Sequence, residues 1–126
     1  MIEALSGETT NLVKLALDAA SLRHQAIANN IANANTPGYT PLKVNFEEQL
    51  TAARRASGSS AHPAQLDGVK AFIEEDRTAA GIGATNVMLD MEAAKLAQNV
   101  LHYQALLKGL NQHISLISMA INEGKR

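Results

Sequence analysis

The chain has no cysteine and no tryptophan, and only two phenylalanines and two tyrosines among its 126 residues. The lack of cysteine excludes disulfide bonds and thiolate metal sites. Aromatic residues make up only 3% of the chain, so a core would be built mainly from Ala and Leu. Such a core buries little area per residue on average. The composition therefore predicts a thin hydrophobic core.

Excess charge of either sign is also missing, because 11 basic and 12 acidic residues give a formal net charge of −1 at pH 7. A nearly neutral chain lacks the long-range attraction to nucleic acid or anionic lipid that a basic chain has. No apolar run is long enough to span a bilayer, and Met1–Ala4 lacks the basic-then-apolar layout of a cleavable secretion signal. We expect no nucleic-acid partner, no direct membrane insertion and no cleaved signal peptide.

Patterns typical of catalysis are absent from the sequence. There is no P-loop lysine motif, no complete dinucleotide-binding glycine motif and no serine in a nucleophile elbow. The histidines show no close pair at metal-ligand spacing. We therefore expect no catalytic, cofactor or metal site. The four histidines are interpreted as surface or interface residues: His24, His62, His102 and His113.

The last third of the chain carries a long hydrophobic stripe. Its residues recur at alternating spacings of four and three: Leu89, Ala93, Leu96, Val100, Tyr103, Leu107, Leu110, Ile114, Ile117 and Ile121. This spacing is typical of a coiled-coil seam. It predicts a C-terminal helix in residues 87–126 that begins at a cap near Thr85 and Asn86. Flanking positions are small or neutral, which favours contact with several helices: Ala97, Asn99, Gln104 and Asn111.

The length of this helix indicates that it needs partners. At ~1.5 Å per residue, Leu89 to Ile121 spans about 48 Å, whereas a compact globule of this chain length would be roughly 35 Å across. A helix that outreaches its own globule leaves part of its seam for other chains to cover. The alternative is an intramolecular helical hairpin that needs no partner.

A second helix is predicted over roughly residues 8–34, with Thr9 or Thr10 as its cap. The same alternating spacing continues through this helix: Leu12, Leu15, Ala19, Leu22, Ala26, Asn29 and Asn33. The small Ala19 and Ala26 would let a neighbouring backbone approach closely. A buried amide pairs well only with another polar group, so Asn29 and Asn33 are predicted to fix the register between helices.

The middle zone, residues 40–86, is rich in Ala, Gly and Ser and is predicted to be flexible or ordered only by its neighbours. Asn45 reads as a helix cap with Glu48 three residues later, which predicts a short helix through Arg55. Alternation from Val69 to Ile73 predicts a brief strand. We expect neither element to have much to pack on.

The most specific motif is the run Ala-Asn-Asn-Ile-Ala-Asn-Ala-Asn-Thr-Pro-Gly-Tyr at residues 28–39. Asparagine is a mediocre helix former that bonds to nearby backbone, so the run prepares a helix end. Pro then supplies a fixed φ and Gly a positive φ, which predicts a type II turn. The turn motif consists of Asn35, Thr36, Pro37, Gly38 and Tyr39. Tyr39 is open to two interpretations, since it could pack on a neighbouring subunit or cover its own hairpin.

This run resembles the N-terminal signature shared by bacterial flagellar rod and hook axial proteins. The stretch from Leu89 to Leu96, continued by Tyr103-Gln104-Ala105-Leu106, is similar to the C-terminal helix of the proximal rod proteins of that family. The chain is short and has no large inserted domain, which also favours the proximal rod proteins within the family. The resemblance covers the two terminal zones, about two thirds of the chain.

The resemblance implies an all-α fold in which two long terminal helices pack as an antiparallel coiled-coil hairpin around a weakly structured middle segment. Residues 1–39 and 87–126 would form one assembly domain. The implied role is a structural subunit that polymerises helically into the proximal part of a hollow periplasmic shaft needed for motility. Implied partners are copies of itself, rod proteins such as FlgC, the adaptor FliE with the MS ring, and the flagellar type III export apparatus.

The residues predicted to form the assembly interface come from both helices: Leu12, Leu15, Leu22, Asn29, Asn33, Leu96, Val100, Tyr103, Leu107, Leu110, Ile114, Ile117 and Ile121. A different class of function uses the same seams. A soluble helical adaptor or flagellar export chaperone would clasp one partner with them and form a discrete complex. The two functions differ in stoichiometry, which the sequence leaves open.

Overall fold

The computed structural model describes residues 2–58, 66–79 and 85–124, with side chains described from residue 7 and, in the last range, from residue 88. The elements run in the order α1 (Ile2–Ala32), β1 (Leu42–Asn45), α2 (Glu47–Ala56), β2 (Phe72–Glu75) and α3 (Thr85–Glu123). The predicted helical fold with two long terminal helices, a short middle helix and a brief β element is confirmed. The β element is a sheet of two strands.

The two long helices pack along each other in antiparallel directions. Asn30, near the end of α1, bonds to Glu92, near the start of α3. Asn99, seven residues further along α3, bonds to the backbone of Ala20, ten residues further back along α1. Contacts that lie further along α3 therefore lie further back along α1, which confirms the predicted antiparallel hairpin.

The start of α1 differs from the prediction. The helix begins at Ile2, so Thr9 and Thr10 lie inside it and neither is its cap. The residues after Met1 are Ile, Glu, Ala and Leu, which have good helix propensity, and no proline interrupts them. The helix therefore extends six residues beyond the predicted start. α3 begins at Thr85, two residues before the predicted bound of residue 87, so Thr85 and Asn86, which were predicted as its cap, lie inside the helix.

The expectation that the middle zone has little to pack on is wrong for its described elements. The buried hydrophobic cluster joins residues of α1 to residues of the middle zone: Ala19, Ala26, Val44, Phe46, Val69 and Ala71. Leu50 and Ala53 of α2 pack against this cluster. The alanines of α1 leave space that the larger middle-zone side chains fill, which the seam pattern of α1 alone did not indicate.

β1 and β2 pair in antiparallel register, with Leu42 opposite Glu75 and Asn45 opposite Phe72. The predicted strand from Val69 to Ile73 is therefore shifted. Val69 and Ala71 are buried as the alternation required, but they precede the paired residues. Pairing begins at Phe72 because β1 offers partners only between residues 42 and 45.

The predicted cap of α2 is also corrected by one residue. Phe46 occupies the N-cap position and makes no side-chain capping bond. Its side chain is buried in the cluster, so packing determines where this helix begins. The Asn45 amide instead donates to Glu48 and to Glu74, at 3.3 Å in both cases. The acidic Glu47 and Glu48 lie in the first turn of α2, and the basic Arg54 and Arg55 lie in its last turn. Both pairs interact favourably with the helix dipole.

Candidate functional site

The chain leaves α1 through the turn that the Asn-rich run predicted. Gly38 has a φ of +75°, and the N–H of Tyr39 donates to the carbonyl of Thr36 at 3.2 Å. Positive φ at the third position is what a type II turn requires. Before it, the N–H of Thr36 donates to the carbonyl of Asn33 at 2.9 Å. These bonds end the helix and direct Tyr39 back toward α1.

Asn30 is the centre of a buried polar network. Its side chain is 1% exposed, and its amide pairs with both backbone groups of Leu42: Nδ2 donates to the carbonyl at 2.9 Å, and Oδ1 accepts from the N–H at 2.7 Å. Oδ1 also accepts from the hydroxyl of Tyr39 at 2.9 Å, and Nδ2 donates to Glu92 at 3.0 Å. One side chain thus connects α1, the turn, β1 and α3.

Glu92 brings a buried carboxylate into this network. Its side chain is 4% exposed, and Lys95 pairs with it at 2.7 Å. A buried carboxylate is stable only when its oxygens are bonded, and Asn30 and Lys95 each bond one of them. Burial, and then the charge of Glu92, raises the pKa of Tyr39 above its ordinary value of 10.0. Tyr39 therefore remains a neutral hydrogen-bond donor to Asn30 at physiological pH.

Asn99 makes the second polar contact between the long helices. It is 5% exposed, and its Nδ2 donates to the carbonyl of Ala20 at 2.9 Å. Ala20 has no side chain beyond Cβ, which lets α3 approach the backbone of α1 at this point. Within the described residues, Oδ1 of Asn99 and Nε2 of His113 are buried without a hydrogen-bond partner.

The faces of α3 can be described as three lines of residues at seven-residue spacing. The inner line consists of Glu92, Asn99, Leu106 and His113. The shared line consists of Leu89, Leu96, Tyr103, Leu110 and Ile117. The outer line consists of Ala93, Val100, Leu107, Ile114 and Ile121. Inner-line residues are buried or half-buried, most shared-line residues are half-buried, and every outer-line residue is exposed.

The seam that faces α1 is therefore turned by one residue from the predicted seam. The sequence pattern selected the shared and outer lines, whereas α1 covers the shared and inner lines. Neighbouring positions on a helix are about 100° apart, so the outer line is turned toward solvent. Within it, Val100 is 40% exposed, Ile114 51% and Ile121 56%. The result is an exposed apolar strip that extends for most of α3.

The predicted interface residues of α1 lie in different surroundings. Leu12, Leu15 and Leu22 are half-buried, and the last two pack against the hydrophobic cluster. Asn29 is exposed and Asn33 half-buried. Their amides donate to carbonyls of their own helix, at 3.2 Å to Gln25 and 2.9 Å to Asn29 respectively. Neither touches α3 through a hydrogen bond, so within the chain the register between helices depends on Asn30 and Asn99.

Asn30, Glu92 and Asn99 were missed as site residues. Asn30 is part of the quoted Asn-rich run but lies one position away from the extended seam, and Asn99 was interpreted as a flanking position. A usable signal existed, because Glu92, Asn99 and His113 are polar residues at multiples of seven, in a line that adjoins the apolar stripe of the helix. Such a line indicates a polar helix contact next to the apolar seam.

Other kinds of site find no support in the part of the chain that the structure covers. No group of three or more His, Asp and Glu side chains there could hold a metal ion. None of the described helices combines the length and apolar character needed to cross a membrane. The arrangement has the features of a packing and assembly surface. His62 lies outside the described residues.

Comparison with known proteins agrees with this interpretation. A family model described as "Flagella basal body rod protein" matches residues 15–40, which include Asn30 and Tyr39. The flagellar basal body rod protein FlgB of Bacillus subtilis (strain 168) is 30% identical over 126 residues, covering 95% of this chain and 97% of the relative. FlgB of Aeromonas hydrophila is 32% identical over 115 residues, covering 84% and 86%.

A third relative, FlgB of Borrelia hermsii, is 31% identical over 120 residues and covers 83% of this chain and 89% of its own length. No solved structure matches the chain. The relatives span both terminal helices and the middle zone, so the likeness extends well beyond the Asn-rich turn.

Proposed function

The chain belongs to the FlgB family of flagellar basal body rod proteins and is a structural subunit of the rod, and from this premise we propose that it polymerises helically through the outer line of α3. Assembly of the flagellum and motility follow from membership of the rod. We further propose a purely structural role without catalysis, at the proximal end of a hollow periplasmic shaft.

The observation that carries the proposal is the exposed outer line. Val100, Leu107, Ile114 and Ile121 are large apolar residues that stay at least 37% exposed in the single chain. Burying such a side chain completely contributes about 1.5–3 kcal/mol, so covering the part of each that is still exposed contributes about half of that. Only a neighbouring subunit can provide the covering surface. An exposed apolar strip of this length is typical of a protein interaction site.

The shared line indicates that α3 contacts several neighbouring helices. Leu96, Leu110 and Ile117 are half-buried, so α1 covers one side of them and leaves the other side open. A helix that uses two adjoining seams contacts more than one helix, as in multi-helix bundles. We propose that α3 lies between α1 of its own chain and helices of adjacent subunits, with the two terminal zones acting as one assembly domain.

As a rod protein the chain assembles with other components of the basal body. We propose that these include FlgC, the adaptor FliE with the MS ring, and the flagellar type III export apparatus that delivers the subunit. This part of the proposal is supported by family membership. Asn29, Asn33 and the residues of the turn motif remain proposed contacts toward those neighbours.

The test is the behaviour of the purified chain across concentrations. A rod subunit should sediment as a monomer when dilute and form fibres when concentrated, with helicity rising on assembly. A soluble adaptor or export chaperone would instead stop at a discrete, fully helical dimer. Sedimentation velocity, circular dichroism and electron microscopy on the same samples distinguish the two, and a discrete dimer at every concentration would contradict the proposal.

A further inference from the structure

A groove lies between α1, β1 and α3 on the side of α3 away from the outer line. Its volume is about 470 Å³, with Ala26 and Ile27 of α1, Val44 of β1, and Gln98 and His102 of α3 among its lining residues. Gln98 and Val100 are two positions apart, so a rotation of about 200° about the helix axis separates their side chains. The groove and the outer line are therefore opposite surfaces of α3.

One wall of the groove is an open strand edge. Pro41 and Asp76 form a hydrogen-bonded pair at 2.7 Å, and in an antiparallel ladder such pairs alternate. Given the register, Lys43 and Asn45 direct their backbone groups to β2, while Leu42 and Val44 direct theirs away from it. The Asn30 amide occupies both groups of Leu42. No described residue bonds to the N–H or the carbonyl of Val44.

The charges at the rim of the groove are largely compensated within the chain. Arg23 pairs with Glu47 at 2.7 Å, and Lys95 pairs with Glu92 at the same distance. Paired charges give little attraction to a free anion or cation. What remains unsatisfied is a backbone donor and acceptor at Val44, beside the neutral amide of Gln98. This combination matches an uncharged stretch of extended polypeptide, which adds to strand edges through its own backbone.

Helical polymerisation supplies the source of that polypeptide. A surface that pairs only with itself closes into a two-fold dimer, whereas an open helical polymer needs two different surfaces that meet between successive copies. The outer line provides one surface. The groove is on the opposite side of the same helix, where a second, non-identical contact can form.

We infer that the groove receives an extended, non-helical segment of a second copy of this chain, which hydrogen-bonds to the backbone of Val44 and packs beside Gln98. This inference rests on the proposed function, since it concerns the contact between successive subunits. The occupying segment lies outside α1, α2 and α3 of its own subunit, because the backbone groups inside a helix already bond to one another.

The experiment places the photo-crosslinking residue benzoylphenylalanine at position 98, which is exposed, with position 112 as the matched control. Gln112 is an exposed glutamine on the same helix that does not line the groove. Equal amounts of ¹⁴N- and ¹⁵N-labelled chain are polymerised, pelleted, irradiated and digested. Isotopically mixed crosslinks then identify contacts between copies.

We expect mixed crosslinks from position 98 to a peptide outside α1, α2 and α3, and none of these from position 112. A Gln98→Trp variant, which fills the groove, should raise the concentration needed for polymerisation by about tenfold, with Gln112→Trp unchanged. Polymers whose position-98 crosslinks are all within one chain, or fall in α1, α2 or α3, would overturn the inference alone. Failure of the unmodified chain to polymerise would overturn the proposed function as well.

Discussion

The two long helices use their hydrophobic residues in opposite ways. α1 buries small apolar residues, Ala19, Ala20 and Ala26, together with Ile27. α3 is the longer helix and has larger apolar residues, yet among its described side chains the buried ones are those of the polar Glu92 and Asn99. α1 therefore completes the hydrophobic core of its own chain, while α3 is held to α1 by buried hydrogen bonds together with the half-buried apolar residues of the shared line.

The difference explains how one helix pair can be folded and still competent for assembly. Polar contacts at Asn30, Glu92 and Asn99 determine which side of α3 faces α1. The apolar outer line then remains available to neighbours. If the outer line had faced α1, the chain would hide its assembly surface. The comparison therefore predicts large effects on assembly from the outer line and large effects on folding from the polar network.

The largest effect is expected from Ile114→Asp. Ile114 is 51% exposed in the single chain, so the dilute monomer should keep its circular dichroism spectrum and melting temperature. In a polymer the carboxylate would be buried without a partner, which costs several kcal/mol at least. Polymer formation by pelleting, and motility of cells that carry only this variant, should both be abolished.

Gln112→Asp adds the same charge to the same helix at an exposed position outside the three lines. It should polymerise at a concentration much closer to that of the unmodified chain. Full motility of the Ile114→Asp strain would remove the outer line from the assembly interface and leave the polar network as the only distinctive feature of α3.

The polar network should give the largest effect on folding. Asn30→Ala removes the partner of both Leu42 backbone groups and one partner of Glu92. Buried groups left without hydrogen bonds cost about 1–3 kcal/mol each, so urea denaturation should show a loss of about 3 kcal/mol or more. Asn29→Ala is the matched control, since the exposed Asn29 amide bonds only to its own helix, and it should change stability by about 0.5 kcal/mol or less. Equal losses for both variants would contradict the assigned role of Asn30.

A smaller effect is expected at the turn. Gly38 has φ +75°, and a Cβ added there meets no atom within 4 Å, so the strain of Gly38→Val comes from the backbone alone. Left-handed backbone costs an ordinary residue about 1–2 kcal/mol, and thermal or urea unfolding measures it. Gly109→Ala, inside α3 and also without close neighbours, should instead stabilise the chain by about 0.5–1 kcal/mol. A neutral Gly38→Val would show that the turn does not need positive φ.

The smallest effect is the pH dependence of the network. Because the pKa of Tyr39 is raised in the folded state, the folded chain holds this proton at pH values where the unfolded chain has lost it. Stability is therefore unaffected well below pH 10.0 and falls as the pH rises past that value toward the folded pKa. Urea denaturation across this range should show a steeper loss for the unmodified chain than for Tyr39→Phe. An absorbance titration in a Tyr103→Phe background, where Tyr39 is the only tyrosine, checks the shift directly.

Much of the architecture could be predicted because it depends on local pattern. Heptad spacing predicted both long helices, the family resemblance implied their antiparallel packing, and the Pro-Gly pair predicted the turn, where Gly38 has positive φ. The start of α1 was missed because a capping residue was weighted above the helix propensity of the residues before it. The strand was shifted because its pairing depends on β1, which short-range alternation did not indicate.

The site was predicted less completely, for a physical reason. Ala93 and Glu92 are neighbours in sequence, and hydrophobicity alone assigns the apolar residue to the interior. Glu92 is buried instead because Asn30 and Lys95 bond its carboxylate, and Asn30 comes from a helix 62 positions away along the chain. The partner of a residue so distant along the chain cannot be assigned from the pattern of either segment alone.

The amino-acid sequence by itself determined that two long helices form, where the first ends, and that the second has more apolar surface than one chain can cover. These features depend on periodicity, helix propensity and the geometry of Pro and Gly, which act over a few residues. Only the tertiary structure decided which side of α3 that surface occupies. This choice depends on whether distant polar groups can form hydrogen bonds with one another out of contact with water. Asn30, Glu92 and the Nδ2 group of Asn99 form such bonds only once the helices are packed together.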